Sequence, residues 1–140
     1  AVINGGMLIT PHFAVGTCDD EGNLLEAFEY PMVEQTVSSQ TSENMKYILT
    51  QVVSEGGGKN GQVEGYNVGG KTATSEKLPR GNGKYISSYI GFAPADDPQV
   101  IAICLINEPV GIYYGGTIAA PVISSLYEDV LPYLEIKKAQ

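Results

Sequence analysis

Met45, Ile48, Leu49, Val52 and Val53 recur at i, i+3, i+4, i+7 and i+8, which predicts a helix with one apolar face. Ser38 or Ser39 stands where a cap would accept its first free N–H groups, and Gly56-Gly57-Gly58 ends it. Upstream, MLITPHFAVGTCD and LLEAFEY flank DDEGN. Apolar, β-branched runs about a turn of Asp20, Gly22 and Asn23 predict a hairpin, with Pro11 at an edge or strand start. Three strand-like runs follow the helix: Tyr66 to Lys77, Tyr85 to Ala93 and Val100 to Ile106. PRGNGK and ADDP supply the turns between them. VIAICLI is apolar throughout, so this third strand is expected to be buried on both faces. A closing helix is expected from Thr117 to Leu134, with Thr117 as its cap and Pro121 in its first turn. Its expected stripe is Ile118, Val122, Leu126, Val130 and Leu134. AVINGG reads as the last turn of a helix closed by Gly5 or Gly6. So short a helix would not form alone, which suggests a chain beginning inside an element.

Composition narrows the picture. The 140 residues suffice for one domain. The net charge of -8 and a pI near 4.5 argue against nucleic acid and anionic membrane surfaces as partners. Cys18 and Cys104 lie in apolar runs without zinc or redox spacing, and read as buried free thiols. His12 reads as structural. No metal-ligand set, cofactor motif, membrane span or signal peptide is visible.

The candidate chemistry lies in GYNVGGKTATSEK, Gly65 to Lys77. Gly65, Gly70, Lys71 and Thr72 match G-x-x-x-x-G-K-T, a phosphate-binding loop. That loop needs a buried strand before it and a helix directly after it. GGGKNGQVE precedes it and ATSEKLPRGNG follows, so neither is present. The other reading is a strand carrying Lys71 and Ala73 on one face and Thr72 and Thr74 on the other. Its edge can hold an extended peptide, and its ammonium can bind a carboxylate or acidify a neighbouring hydroxyl. Spacing alone leaves a solvated hairpin with a surface lysine equally open.

The order E-G-G-G-K-N, G-Y-N-V-G-G-K-T-A-T-S-E-K, S-S-Y-I-G-F-A-P and Y-Y-G-G-x-x-A-A-P resembles penicillin-binding proteins, across nearly the whole chain. It is most similar to the C-terminal part of class B transpeptidases of division, elongation or sporulation. The resemblance implies an α+β fold, an antiparallel sheet with helices packed on it, of the penicillin-binding and serine β-lactamase type. Residues 1–140 would be the C-terminal portion of the transpeptidase domain. Lys71, Thr72 and Thr74 match the K-T-G-T signature, while Ala73 replaces its glycine. The match implies Lys71 as the catalytic residue and Thr72, Ala73 and Thr74 as substrate-binding, with no cofactor or metal. No serine here has a lysine three residues on, so the S-x-x-K nucleophile is absent from this chain. Ser42-Glu43-Asn44 matches the letters of S-x-N but falls inside the predicted helix.

By resemblance the full-length protein would cross-link peptidoglycan stem peptides by serine acyl transfer and bind β-lactams. It would work at the extracytoplasmic face of the bacterial membrane, with an anchor outside this chain. This fragment alone would be inactive. Its expected partners are the missing N-terminal part of the domain or a second copy. The alternatives are a non-catalytic β-lactam sensor, a degenerate penicillin-binding domain, and a D,D-carboxypeptidase or β-lactamase relative.

Overall fold

The computed structural model describes residues 1–31 and 34–139. The chain divides into two units, Ala1–Glu43 and Asn44–Gln140.

In the first unit, the Gly6 N–H donates to Ala1 O at 3.0 Å, with Gly5 at φ 80°. This is the six-to-one closure of a helix C-terminus, so the expected glycine cap is present. β1 (Met7–Leu8) pairs antiparallel with β4 (Glu34–Gln35), and β2 (Gly16–Cys18) with β3 (Leu24–Ala27). The β2–β3 hairpin lies where the turn residues predict it. Asn23 Nδ2–H donates to Asp19 Oδ2 at 2.9 Å. The other Asp19 oxygen accepts the N–H groups of Glu21 and Asn23. These bonds, that of the Asn23 side chain foremost, hold Asp19 below the usual carboxylate range. The long first strand predicted from Met7 is broken: residues 9–15 join no sheet. Pro11, with no N–H to give a ladder, lies within the break. His12 stacks on Tyr30, ring centroids 3.8 Å apart, and its Nδ1–H donates to Thr10 O at 2.9 Å. Cys18 is exposed, not buried as expected, because β3, its partner in the two-stranded ribbon, is itself exposed along its whole length.

α1 (Ser39–Ser54) is capped by Ser38, whose Oγ accepts the Thr41 N–H at 3.1 Å. It closes on its glycines: the Gly58 N–H donates to Val52 O at 2.9 Å. Its stripe is partly as expected, with Val53 buried, but Ile48 is 51% exposed. Ser42, buried, shares the inward face instead. It accepts the Gly5 N–H and donates to Val2 O, so a hydrogen-bonded hydroxyl occupies an inward position that periodicity reserved for apolar residues.

In the second unit, β5 (Gly69–Glu76), β6 (Tyr85–Ala93) and β7 (Val100–Asn107) form one antiparallel sheet in the order β5-β6-β7. β5 starts at Gly69 rather than Tyr66 because Gly65 at φ 79° and a Val63–Tyr66 bridge turn the chain first. β7 departs from expectation more sharply. Val100, Ala102, Cys104 and Ile106 pack against the core, but Ile101, Ile103 and Leu105 are 60, 60 and 63% exposed. The sheet is antiparallel, and within the described unit only one face of β7 is covered.

α2 (Gly115–Ile118) and α3 (Ala120–Tyr133) replace the single closing helix. Pro121 lies in the first turn of α3, as predicted. It has no N–H to carry one continuous ladder through the join. Thr117 is not a cap: Tyr114 is, and the Thr117 N–H donates to Tyr114 O. The buried face is Ala120, Ile123, Tyr127 and Leu131, while Val122 and Leu126 of the predicted stripe are exposed. Apolar residues lie on both sides of this helix, so periodicity could not choose between them. The choice falls to Tyr127, whose hydroxyl donates to Gly91 O on β6 at 2.7 Å.

Two core tyrosines give the unit a pH signature. Tyr89 and Tyr127 are buried, and burial pushes both hydroxyls up to about 12. An unfolded tyrosine titrates near ~10. Between these values the unfolded chain binds fewer protons than the folded one. Stability is therefore complete below pH ~10 and falls as pH rises towards 12. Urea midpoints measured across this range should decline, less steeply in Tyr127→Phe. A flat profile would show that neither phenol stays protonated in the folded state.

Candidate functional site

The K-T-A-T segment, Lys71 to Thr74, lies on β5, which pairs with β6 on one side and with no other strand among the described residues. The residues that follow Thr72 continue this strand, so the phosphate-loop reading fails for want of its helix. Gly70, before Lys71, leaves room for a ring: a Cβ there would overlap the Tyr89 hydroxyl.

Register fixes the faces. Thr72 lies opposite Tyr89 and Thr74 opposite Ser87, while Lys71 lies opposite Ile90 and Ala73 opposite Ser88. The alternation is the expected one, with the threonines on the face of the two buried residues. Lys71 is exposed and donates to Thr72 O at 2.6 Å. Ala73 is exposed beside it. The structure thus joins Thr72 and Thr74 on one face and sets Lys71 and Ala73 on the other, all four along one strand edge.

Composition and spacing did not single out the turn that meets this edge. Residues 113–117 are held from three sides. Ser87, buried, donates its hydroxyl to Tyr113 O. Asn60 Nδ2–H donates to Gly116 O at 2.8 Å. The Gly115 N–H donates to Thr74 Oγ1 at 3.1 Å. Tyr113 stacks on Tyr85, centroids 4.1 Å apart, and Tyr114 tilts against Tyr113 at 4.7 Å. The side-chain hydrogen bond with Tyr113 raises Tyr114 above the usual tyrosine range. Neither glycine of the pair could carry a side chain. A Cβ on Gly115 would overlap Ser88 O and Ala73 O, and one on Gly116 would overlap Gly57 O. The available signal was the pair Gly115-Gly116 directly after two aromatics.

The family model for the penicillin-binding protein transpeptidase domain matches residues 1–128. The chain belongs to this family. Stage V sporulation protein D of Bacillus subtilis is 42% identical over 98% of this chain and 22% of its own length. The probable peptidoglycan D,D-transpeptidase PenA of Neisseria flavescens is 35% identical over 76% of this chain and 28% of its own. Among solved structures, the transpeptidase domain of Burkholderia pseudomallei penicillin-binding protein 3 superposes with a TM-score of 0.78 at 28% identity. That match covers 99% of this chain and 41% of that one. The D,D-transpeptidase domain from Eggerthella lenta gives 0.76 at 26% identity, over 95% of this chain and 30% of that one. The chain therefore spans less than half the length of each of these relatives, and it has the α+β penicillin-binding fold.

Other features lie away from K-T-A-T. A surface cavity of about 520 Å³ is lined by Thr50, Val53, Gln62, Tyr66, Asn67 and Glu128 among others, and does not include Lys71. Among the described residues no cluster of His, Cys, Asp and Glu could hold a metal, and no helix is long and apolar enough to cross a membrane.

Proposed function

We propose that this chain is the C-terminal portion of a peptidoglycan D,D-transpeptidase domain and supplies the strand that aligns the stem peptide. The observation that carries the reading is the free edge of β5, with exposed Lys71 and the two threonines distributed along it. An extended peptide added to that edge would meet side chains from both faces, so Lys71 and Thr74 can serve one ligand from opposite sides. Thr72 and Thr74 would hydrogen-bond its terminal carboxylate. The Lys71 ammonium would stabilise charge developing at the reacting centre.

The covalent step needs a serine from an S-x-x-K segment, which these 140 residues do not contain. In the longer protein that serine would attack the D-Ala–D-Ala carbonyl. Its proton would pass through a base to the leaving D-Ala amine, and an acyl-serine would remain. The amine of a second stem would then take the acyl group and release the serine. A β-lactam would acylate the same oxygen by ring opening, without a leaving group. Stem peptides are met on the extracytoplasmic side of the membrane, so the reading places the protein there. The rest of the domain would also cover Ile101, Ile103 and Leu105, a row too apolar to favour exposure.

Intact-mass analysis after incubation with penicillin tests this reading. The 140-residue chain should show no adduct, and a longer chain that includes an S-x-x-K segment should gain the mass of one drug molecule. Sedimentation of the short chain should show self-association through the uncovered sheet. A drug adduct on a serine of the short chain, or none on the long one, would refute the proposal.

A further inference from the structure

We infer that Gly115 is a positioning residue that fixes the direction of the Thr74 hydroxyl, making it a donor to an anionic ligand. This rests on the reading of K-T-A-T as a substrate edge. A threonine hydroxyl has one proton to give and two lone pairs with which to accept, and in solution it turns between these roles. Here the Gly115 N–H occupies a lone pair of Thr74 Oγ1 at 3.1 Å. A backbone N–H can only donate, so the Thr74 proton must point elsewhere. Among the described residues the hydroxyl is given no acceptor, and Thr74 is itself exposed. The proton is left for a ligand that accepts, and a carboxylate accepts most strongly.

The turn is built to hold this N–H still. Asn60 anchors Gly116 O, Ser87 anchors Tyr113 O, and the Thr117 N–H closes back on Tyr114 O at 2.9 Å. The Gly115 Cα sits so close to β5 and β6 that a side chain would overlap the carbonyls of Ala73 and Ser88. Glycine at this position therefore brings a main-chain donor up to the threonine, which accounts for the first glycine of Y-Y-G-G. A ligand with a neutral acceptor in place of the carboxylate gains less from a fixed donor, so the arrangement selects for charge.

The test removes one N–H and nothing else. In the longer protein, an ester replacing the peptide bond between Tyr114 and Gly115 deletes the donor without adding a side chain. Acylation rates are compared for a penicillin and its carboxamide. The native protein should prefer the carboxylate. The ester should lower that preference about threefold, the statistical cost of selecting one of three staggered hydroxyl orientations. Thr74→Val should lower it about tenfold or more, as expected for a lost charge-assisted hydrogen bond, and Thr74→Ser should retain it. An unchanged preference in the ester would overturn the inference while leaving the transpeptidase reading standing. Hydrogen exchange at the Gly115 amide gives a readout independent of acylation. Exchange should quicken in Thr74→Val and not in Thr74→Ser. If Thr74→Val leaves it unchanged, the bond is not formed and the inference fails even where no acylation is detected.

Discussion

Replacing Lys71 by alanine in the longer protein is expected to slow acylation by penicillin about 10²–10³-fold, the usual loss for one preorganised electrostatic group. Folding should hardly change. Lys71 is exposed, and its ammonium makes one hydrogen bond, to the neighbouring Thr72 O. Exposed substitutions of this kind stay within about 0.5 kcal/mol. The pairing of a large kinetic effect with a small thermal shift separates the site reading from the surface-lysine reading that spacing left open. Stopped-flow acylation and thermal melts of the same preparation measure both. Equal acylation rates in mutant and native protein would remove Lys71 from the chemistry. Matched losses of rate and stability would make it structural.

The largest expected effect on stability lies at Tyr127. Its ring is 1% exposed within the core, and its hydroxyl donates to Gly91 O across to the sheet. Tyr127→Ala removes a buried aromatic and should cost about 3–5 kcal/mol. Tyr127→Phe keeps the ring and should cost about 1–2 kcal/mol, since Gly91 O is left without its donor. Leu126→Ala, one residue away, should cost no more than about 1 kcal/mol, because Leu126 is already 44% exposed. Urea denaturation of the three variants orders them. If Leu126→Ala proves the most damaging, the helix is rotated from the orientation described, and the stripe read from the sequence is the true core face.

That comparison shows where sequence reasoning was sufficient and where it was not. The existence of α1, its Ser38 cap, its glycine stop and the β2–β3 turn depend on residues a few positions apart. Local chemistry decides such features, so they were legible. The signature Lys71-Thr72 and the order of motifs around it were enough to suggest the family, which the match over residues 1–128 shows. The faces of α3 and β7 were misjudged for one shared reason. A hydrophobic pattern records which residues can leave water, not whether a layer exists to cover them. β7 is apolar on both sides, yet the described unit buries one.

The sequence by itself determined which segments are helix or strand, that K-T-A-T is carried on a strand, and that no serine in the chain has the nucleophile's lysine spacing. Only the tertiary structure decided which sides of those segments turn inward, and that Gly115 meets Thr74 from 41 residues away. The physical reason is one of range. Helix caps, turns and strand alternation are set by steric and hydrogen-bonding choices among neighbours. A contact between distant segments depends on how packed layers fit together, and here on two glycines small enough to let one main chain reach another's side chain.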